Sequence, residues 1–279
     1  MEVFYFIMFT TIISDCKAEN EAGRQISRFN SLGLGPCNLI GISSSLSETA
    51  TIEGGANLLD VLDATEGRDG VIILNTAPRG DKNDGENGTS FAFFHHKKTL
   101  VISTIKGHCL SFVRKTLITT SVHLLDPSAV LLFARTQKLI DKELAERIIN
   151  SQFRSFEFLP RLARWIKDGI QIPANLQKID DKPLPNCIWC IDAFGNAKTT
   201  IFSNDKALKE NHLYSTNLGK FKFFSHLKDI PTGETAIYVG SSGIKNWRFL
   251  EIATQGVYGS ASKSMGLKIG DTIEFIDER

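Results

Sequence analysis

The chain has 279 residues, of which 42% are hydrophobic and 23% charged, with 32 Lys and Arg against 31 Asp and Glu. That length suits two domains or one large α/β unit with a sizeable core, and the ordinary composition excludes a disordered or fibrous chain. The near-neutral balance supplies no broad field to gather nucleic acid or an anionic membrane, so neither is expected as a partner.

In chain order, Val3 to Ile13 is apolar and rich in β-branched and aromatic residues, lacks a basic leader, and runs straight into Ser14 and Asp15. It reads as a buried first strand and not as a secretory signal. No stretch reaches the roughly 18 to 20 apolar residues that span a bilayer. Five cysteines, an odd number at low density, fit a reducing compartment, and a cytoplasmic location is expected. The run IEGGANLLDVLDA reads as a helix, and the short apolar runs GVIILN, TLVISTI and AVLLFA alternate with helical stretches. This alternation predicts an α/β domain with a mostly parallel sheet. GDKNDGENG, from Gly80 to Gly88, is too rich in Gly, Asn and Asp for a helix or strand and is expected as an exposed loop. His95 and His96 are adjacent and so face opposite sides of a strand, while Lys97 and Lys98 read as a solvated turn; no metal site is expected.

TQKLIDKELAERIINS, starting at Thr136, places Leu139, Ile140, Leu144, Ile148 and Ile149 on one helical face. SFEFLPRLARWIKDG reads as a further helix with Pro160 in its first turn and Gly169 just past its end. IQIPANLQKIDDKPLP then loses periodicity and reads as a connector. The expected organisation is an α/β domain over 1–170, a linker over 171–184 and a smaller all-β domain, barrel-like or sandwich-like, over 185–279, with one helical turn around Ala261 to Met265. Cys187 and Cys190 form a CIWC string, but on a strand residues three apart face opposite ways, which argues against redox or metal chemistry.

Ordered strings in the second half narrow the reading. CIDAFGNAKTTI resembles the IDxFGNxxTNI pattern that opens the C-terminal domain of the S-adenosylmethionine (SAM) hydroxide adenosyltransferases and the SAM-dependent fluorinase and chlorinase, through Asp192, Phe194, Gly195 and Asn196; Thr200 stands where Asn is usual. AIYVGSSG, then FLEIATQGVYGSASKSMGLKIGDTI, resembles that family's closing segment, with KNWR interrupting and Gln255 in place of Asn. IISD and IEGGANLLDVLDA resemble its first strand and the following helix, in the right order.

The resemblance implies a nucleoside-binding N-terminal domain and a homotrimer in which SAM, as substrate or ligand, sits between subunits; no separate cofactor is implied. Asp15 would hold the ribose hydroxyls, Phe194 and Asn196 would contact SAM, Ser241 and Ser242 would lie at its methionine or adenine end, and the backbone from Ala253 to Gly256, including Thr254, would read the adenine edge. Each has a plainer reading: Asp15 as a cap or turn residue, FGN as a turn with Asn196 in a left-handed conformation, and the two serines as a β-turn. The catalytic positions depart from the pattern. Where the family's hydrolases carry the acid of VDPGVG, this chain has Thr76 in LNTAPRG; where they carry the His of FHGRD, it has Arg154 in FRSFE, with Phe156 at the usual Arg. Arg154 and Arg79 would orient an anion, although Glu157, one turn from Arg154, suits a structural ion pair. The expected activity is SAM or adenosine binding with SAM hydrolysis reduced or lost, and the alternative is a non-catalytic trimeric binding protein. Neither GxGxxG nor GxxxxGK[ST] follows an early strand, which weakens an unrelated nucleotide-binding fold.

Overall fold

The computed structural model describes residues 8–44, 47–76, 90–151, 153–256 and 259–276. The Gly80–Gly88 loop, Arg79 and the start of the expected first strand lie outside these residues. Internal contacts divide the chain into Met1–Lys182 and Pro183–Arg279.

The first unit opens with β1 (Phe9–Ser14), α1 (Glu19–Ser31), β2 (Cys37–Gly41), α2 (Ser47–Thr65) and β3 (Gly70–Asn75). It continues through β4 (Phe91–His96), β5 (Thr99–Thr104), α3 (Ser111–Lys115), β6 (Ser121–Leu125), α4 (Pro127–Thr136), α5 (Lys142–Ile149), α6 (Arg154–Glu157), α7 (Leu159–Lys167) and β7 (Asn175–Lys178). The strands form one seven-stranded sheet in the order β2-β1-β3-β5-β4-β6-β7. Every residue of β3 and β5 is buried, as expected where helices cover both faces of a sheet. Alternate residues serve alternate faces. Ile12, Val71, Ile73, Leu100 and Ile102 pack with Phe29 of α1 and with Leu159, Leu162 and Trp165 of α7. Opposite them α2 lies on β1, β3 and α3 and buries Leu58, Leu59 and Leu62.

The sheet is mixed, which corrects the expectation of a mostly parallel one. β2, β1, β3 and β5 run parallel, whereas β4, β6 and β7 pair antiparallel. Apolar runs report burial and not direction. The informative signal was the turn at Lys97 and Lys98, since a connection that short joins only antiparallel strands. AVLLFA is helical, inside α4, because the Asp126 carboxylate accepts from Ser128 N at 3.0 Å with Pro127 in the first turn. The amphipathic run that follows starts its helix later than expected: Asp141 accepts from Leu144 N at 2.8 Å, leaving Leu139 and Ile140 before α5. Asn175–Lys178, in the segment expected as linker, forms the exposed edge strand β7 against β6.

The second unit contains β8 (Ile188–Ile191), β9 (Ala197–Phe202), β10 (Leu213–Thr216), β11 (Gly219–Phe224), a short 3-10 turn at Leu227–Asp229, β12 (Thr235–Ile244), β13 (Trp247–Thr254), α8 (Ala261–Met265) and β14 (Phe275–Ile276). Its sheet order is β14-β10-β11-β12-β13-β9-β8. The sheet curls into a half-barrel. Ile188 N donates to Asp271 O (2.9 Å), Gly270 N to Ile188 O (2.8 Å) and Ile273 N to Asn186 O (2.9 Å), so the start of β8 at one edge is bonded to the segment leading into β14 at the other. Ile188, Ala197, Ile201, Phe221, Ile237, Leu250 and Ile252 form its apolar core.

Candidate functional site

In the first unit the carboxyl ends of β2, β1, β3 and β5 align along one edge of the sheet. The chain passes from β1 to β2 on one side and from β2 to β3 on the other, so right-handed crossovers put α1 and α2 on opposite faces. The gap between the ends of β1 and β3 is therefore a topological switch point, the place where open α/β sheets receive ligands. Asp15 stands there, half-buried, with its N–H donated to Asn75 O at 3.3 Å. The corner around it is fixed by a polar chain: Asn75 Nδ2 and Cys16 N donate to Ser14 Oγ at 3.3 and 3.0 Å, and Gln25 Nε2 donates to Cys16 O at 3.0 Å.

Electrostatics locate the Asp15 carboxylate further. Burial pushes the Cys16 thiol up to about 11, with the Asp15 charge adding to the rise. The fully buried Cys109 is pushed up to about 12, again first by burial, with Asp15 a smaller contributor. Both thiols stay protonated at neutral pH and are poor nucleophiles. One buried carboxylate that the sequence reading passed over shapes the same edge. Glu53 accepts from Ser43 N (2.8 Å) and Ser44 N (2.9 Å) and so ties the loop after β2 to α2. A charge within the otherwise apolar IEGGANLL was its only signal.

Thr76 follows β3 beside Asp15, but its side chain is enclosed. The residue is fully buried, and a Cβ placed on Gly54 would lie 2.8 Å from Thr76 Oγ1. That hydroxyl has no hydrogen-bond partner among the described residues. Its backbone is held by Thr104, whose Oγ1 accepts from Thr76 N (3.3 Å) and donates to Thr76 O (3.0 Å). Arg154 opens α6 with its guanidinium 5.4 Å from the centre of the Phe91 ring, and burial lowers its pKa. Phe91 lies three strands from β1, about 14 Å at ~4.8 Å per strand. Glu157, expected as Arg154's partner, is engaged by Arg161 at 3.1 Å and by Arg28 and Arg147 at 3.9 Å.

In the second unit, Asp192 organises the turn between β8 and β9. Its Oδ1 accepts from Phe194 N and Asn196 N, both at 2.9 Å, and its Oδ2 accepts from Asn196 Nδ2 at 3.0 Å. Gly195 adopts φ +84°, and any Cβ there would stand 2.0 Å from Ser260 Oγ, so glycine is required on both counts. The turn buries Asn196 and leaves Phe194 78% exposed. Thr254, at the end of β13, bonds through its hydroxyl to that of Thr235 at 2.7 Å. Gly256 has φ +128°, and Gln255, which replaces the usual Asn, reaches back to Leu227 O at 3.2 Å.

Ser241 and Ser242 lie elsewhere, in the irregular stretch of β12 that faces the start of β13. About five residues of β13 separate them from Thr254, about 16 Å at ~3.3 Å per residue. Ser242 is buried and accepts from Lys198 Nζ at 2.5 Å. Arg248 Nη1 donates to Ser241 O and Gly243 O, each at 2.8 Å. Lys198, Glu251 and Tyr238 sit side by side across β9, β13 and β12, with Tyr238 Oη donating to Glu251 Oε2 at 2.6 Å. Burial, then the Glu251 carboxylate, raises the Tyr238 pKa. This polar row was also missed from sequence, although Glu251 within LEIAT is the kind of strand charge that signals it.

Among the described residues no group of three or more His, Cys, Asp or Glu could hold a metal ion, and no helix is long and apolar enough to cross a membrane.

Comparison with known proteins bears on the two units unequally. The family model described as the SAM hydroxide adenosyltransferase C-terminal domain matches residues 186–274. Across both units the fold is similar to an uncharacterized conserved protein from Thermotoga maritima, at 15% identity and a TM-score of 0.66, covering 96% of this chain and 100% of that one. It is also similar to a conserved hypothetical protein from Thermus thermophilus, at 16% identity, a TM-score of 0.55 and the same coverage. No curated protein matches the chain.

Proposed function

Taking the SAM hydroxide adenosyltransferase resemblance of residues 186–274 as the premise, we propose that this protein binds SAM or adenosine and hydrolyses SAM weakly or not at all. The observation that carries the reading is Asp15: a carboxylate at the switch point between β1 and β3, in a chain whose second unit keeps the IDAFGN turn. In this reading Asp15 accepts hydrogen bonds from the ribose hydroxyls. Phe194 offers its exposed ring for packing, and Asn196, braced by Asp192, offers its amide. The backbone from Thr254 to Gly256 reads the adenine edge. Ser241 and Ser242, a strand's length away, lie toward the amino-acid end of an extended ligand.

Hydrolysis of SAM at the ribose carbon is an in-line displacement in which the sulfonium leaves readily. The protein's share is to orient the water and take its proton. Neither replaced position supplies a base. Thr76 is an enclosed hydroxyl, and the Arg154 guanidinium stays protonated at neutral pH even with burial lowering its pKa. Losing a general base costs about 10²- to 10⁴-fold in rate, so positioning alone leaves at most a slow reaction. The family resemblance also supports a homotrimer with sites between subunits, which sedimentation equilibrium tests directly.

The test of turnover is chromatography of SAM after long incubation with the purified protein. Little or no enzyme-dependent adenosine and methionine is expected. Rapid turnover would overturn the reading and require a base other than Thr76 or Arg154.

A further inference from the structure

At the start of α3, in the first unit, a hydroxyl, an imidazole and a carboxylate stand in one hydrogen-bonded row. His108 Nδ1 is 3.2 Å from Ser111 Oγ, and His108 Nε2 is 3.3 Å from Oε1 of Glu48, in the first turn of α2. Lys182 Nζ reaches the same Oε1 at 3.6 Å. An ionised carboxylate only accepts, so Nε2 carries the proton, and the neutral ring then presents Nδ1 as an acceptor to the Ser111 hydroxyl. The ring is mostly neutral at pH 7, because burial and then the Lys182 charge hold its pKa below the usual value, with Glu48 opposing them. A serine beside a base that a third group orients is the arrangement that activates a nucleophile, and it is recognised by geometry and not by sequence order.

The backbone around the row is fixed. Thr51 Oγ1 accepts from His108 N at 3.1 Å and donates to Glu48 O at 2.8 Å, so one threonine of α2 ties down both outer partners of the imidazole's turn. Gly107 has φ +55°, and a Cβ there would stand 2.4 Å from Thr51 Oγ1; a Cβ on Gly55 would stand 2.6 Å from His108 O. Only glycine allows so close an approach. Ser111 lines a cavity of about 180 Å³ whose wall also includes Ile105, Leu110, Val122, Ile179 and Lys182. The His108 side chain is fully shielded from solvent, so the serine hydroxyl stands between the base and the cavity. At ~30 Å³ per water the volume holds about six heavy atoms, the size of a short acyl group, and the aliphatic wall suits an uncharged one.

We propose that Ser111, His108 and Glu48 form a second active site, which hydrolyses short-chain carboxylic esters. Ser111 Oγ attacks the ester carbonyl as its proton passes to His108 Nδ1; the C–O bond to the alcohol breaks, and that proton leaves with the alcohol. Water then adds to the acyl-serine and gives a proton to Nδ1. The carboxylic acid departs as the proton returns to Ser111 Oγ, so one ester and one water give one acid and one alcohol. Ser111 is the nucleophile and His108 the base. Glu48 acts through His108 as a positioning residue, keeping the proton on Nε2 and stabilising the charged ring that forms. The proposal is independent of the nucleoside reading, because no residue assigned to that reading lines this cavity.

The probes are p-nitrophenyl acetate and butyrate, followed by release of p-nitrophenol, and a tagged fluorophosphonate, whose point of attachment is found by mass spectrometry of peptides. The full chain is used, with Ser111→Ala and Glu48→Gln purified alongside it and checked by thermal unfolding. Glu48 is exposed, so its substitution tests the row without disturbing the interior. The native chain is expected to hydrolyse the esters above the rate of buffer alone and to carry the fluorophosphonate on Ser111. Ser111→Ala should fall to the buffer rate, and Glu48→Gln should lower kcat by about tenfold or more with KM unchanged, a split that a purely structural role would not give. The proposal is overturned if the native chain shows no ester hydrolysis, if Ser111 is not labelled, if hydrolysis survives in Ser111→Ala, or if kcat is unchanged in Glu48→Gln.

Discussion

The crevice of the first unit and the curled sheet of the second hold their candidate site residues in two different ways. In the second unit the matching residues are tied into the backbone: Asp192 holds Phe194 and Asn196 by three hydrogen bonds, and Gly195 fits only as glycine against Ser260. Replacing Asp192 or Gly195 damages this turn, so the string is legible. In the first unit Thr76 and Arg154 are placed by side-chain packing. Thr76 has packed inward against Gly54, and Arg154 has settled on Phe91. Asp192 and Gly195 answer a backbone need of their turn, whereas Thr76 and Arg154 are placed by side-chain packing.

The largest test of that contrast is Thr76→Asp. If the site is as enclosed as its burial indicates, the new carboxylate is an uncompensated buried charge and costs about 3–5 kcal/mol, read as a lowered urea midpoint with an unchanged slope. Unaltered stability would mean that the position opens onto solvent and that the inward packing is wrong. Next in size is Tyr238→Phe, which removes the Oη donor from the buried Glu251 carboxylate. It should cost about 1–3 kcal/mol in the same experiment, and a neutral result would show that the polar row is not part of what holds the second sheet.

Phe194→Ala separates structure from binding. With the ring 78% exposed, stability should move by no more than about 0.5 kcal/mol, while adenosine affinity should fall by about tenfold if the ring packs on the ligand. Equal affinity would remove Phe194 from the site. The smallest effect is a pH dependence in the first unit. Burial lowers the His108 pKa, Lys182 lowers it further, and the bond to Glu48 opposes them. A histidine held below its unfolded pKa is protonated more readily when unfolded. Its contribution is therefore full above about pH 6.5 and declines as pH falls from there toward the folded value. His108→Gln should flatten that part of the stability profile, read as urea midpoints across that pH range, and an unchanged profile would show that His108 does not set it.

How much of this was readable in advance follows the same division. IDAFGNAKTT, the single helical turn at Ala261–Met265 and the Asp15 corner were legible because glycine, asparagine and a strand-terminal aspartate each answer a specific backbone need. Strand direction was not, since β3 and β5 are uniformly apolar and β4 differs from them mainly in the two-lysine turn beside it. AVLLFA looks like a strand until Asp126 and Pro127 are read as a cap and a first turn. The enclosure of Thr76 depends on Gly54, a partner 22 residues upstream that only the folded α2 brings to it. The row of Ser111, His108 and Glu48 joins the starts of α3 and α2, and no local pattern announces a bond that spans 60 residues of sequence.

Calorimetry of the native protein and of Asp15→Asn with adenosine tests the central claim most directly. The account predicts measurable binding to the native chain, weakened by about tenfold or more in the folded variant. Binding that is equal in the two proteins, or absent from the native one, would contradict a nucleoside site at the end of β1.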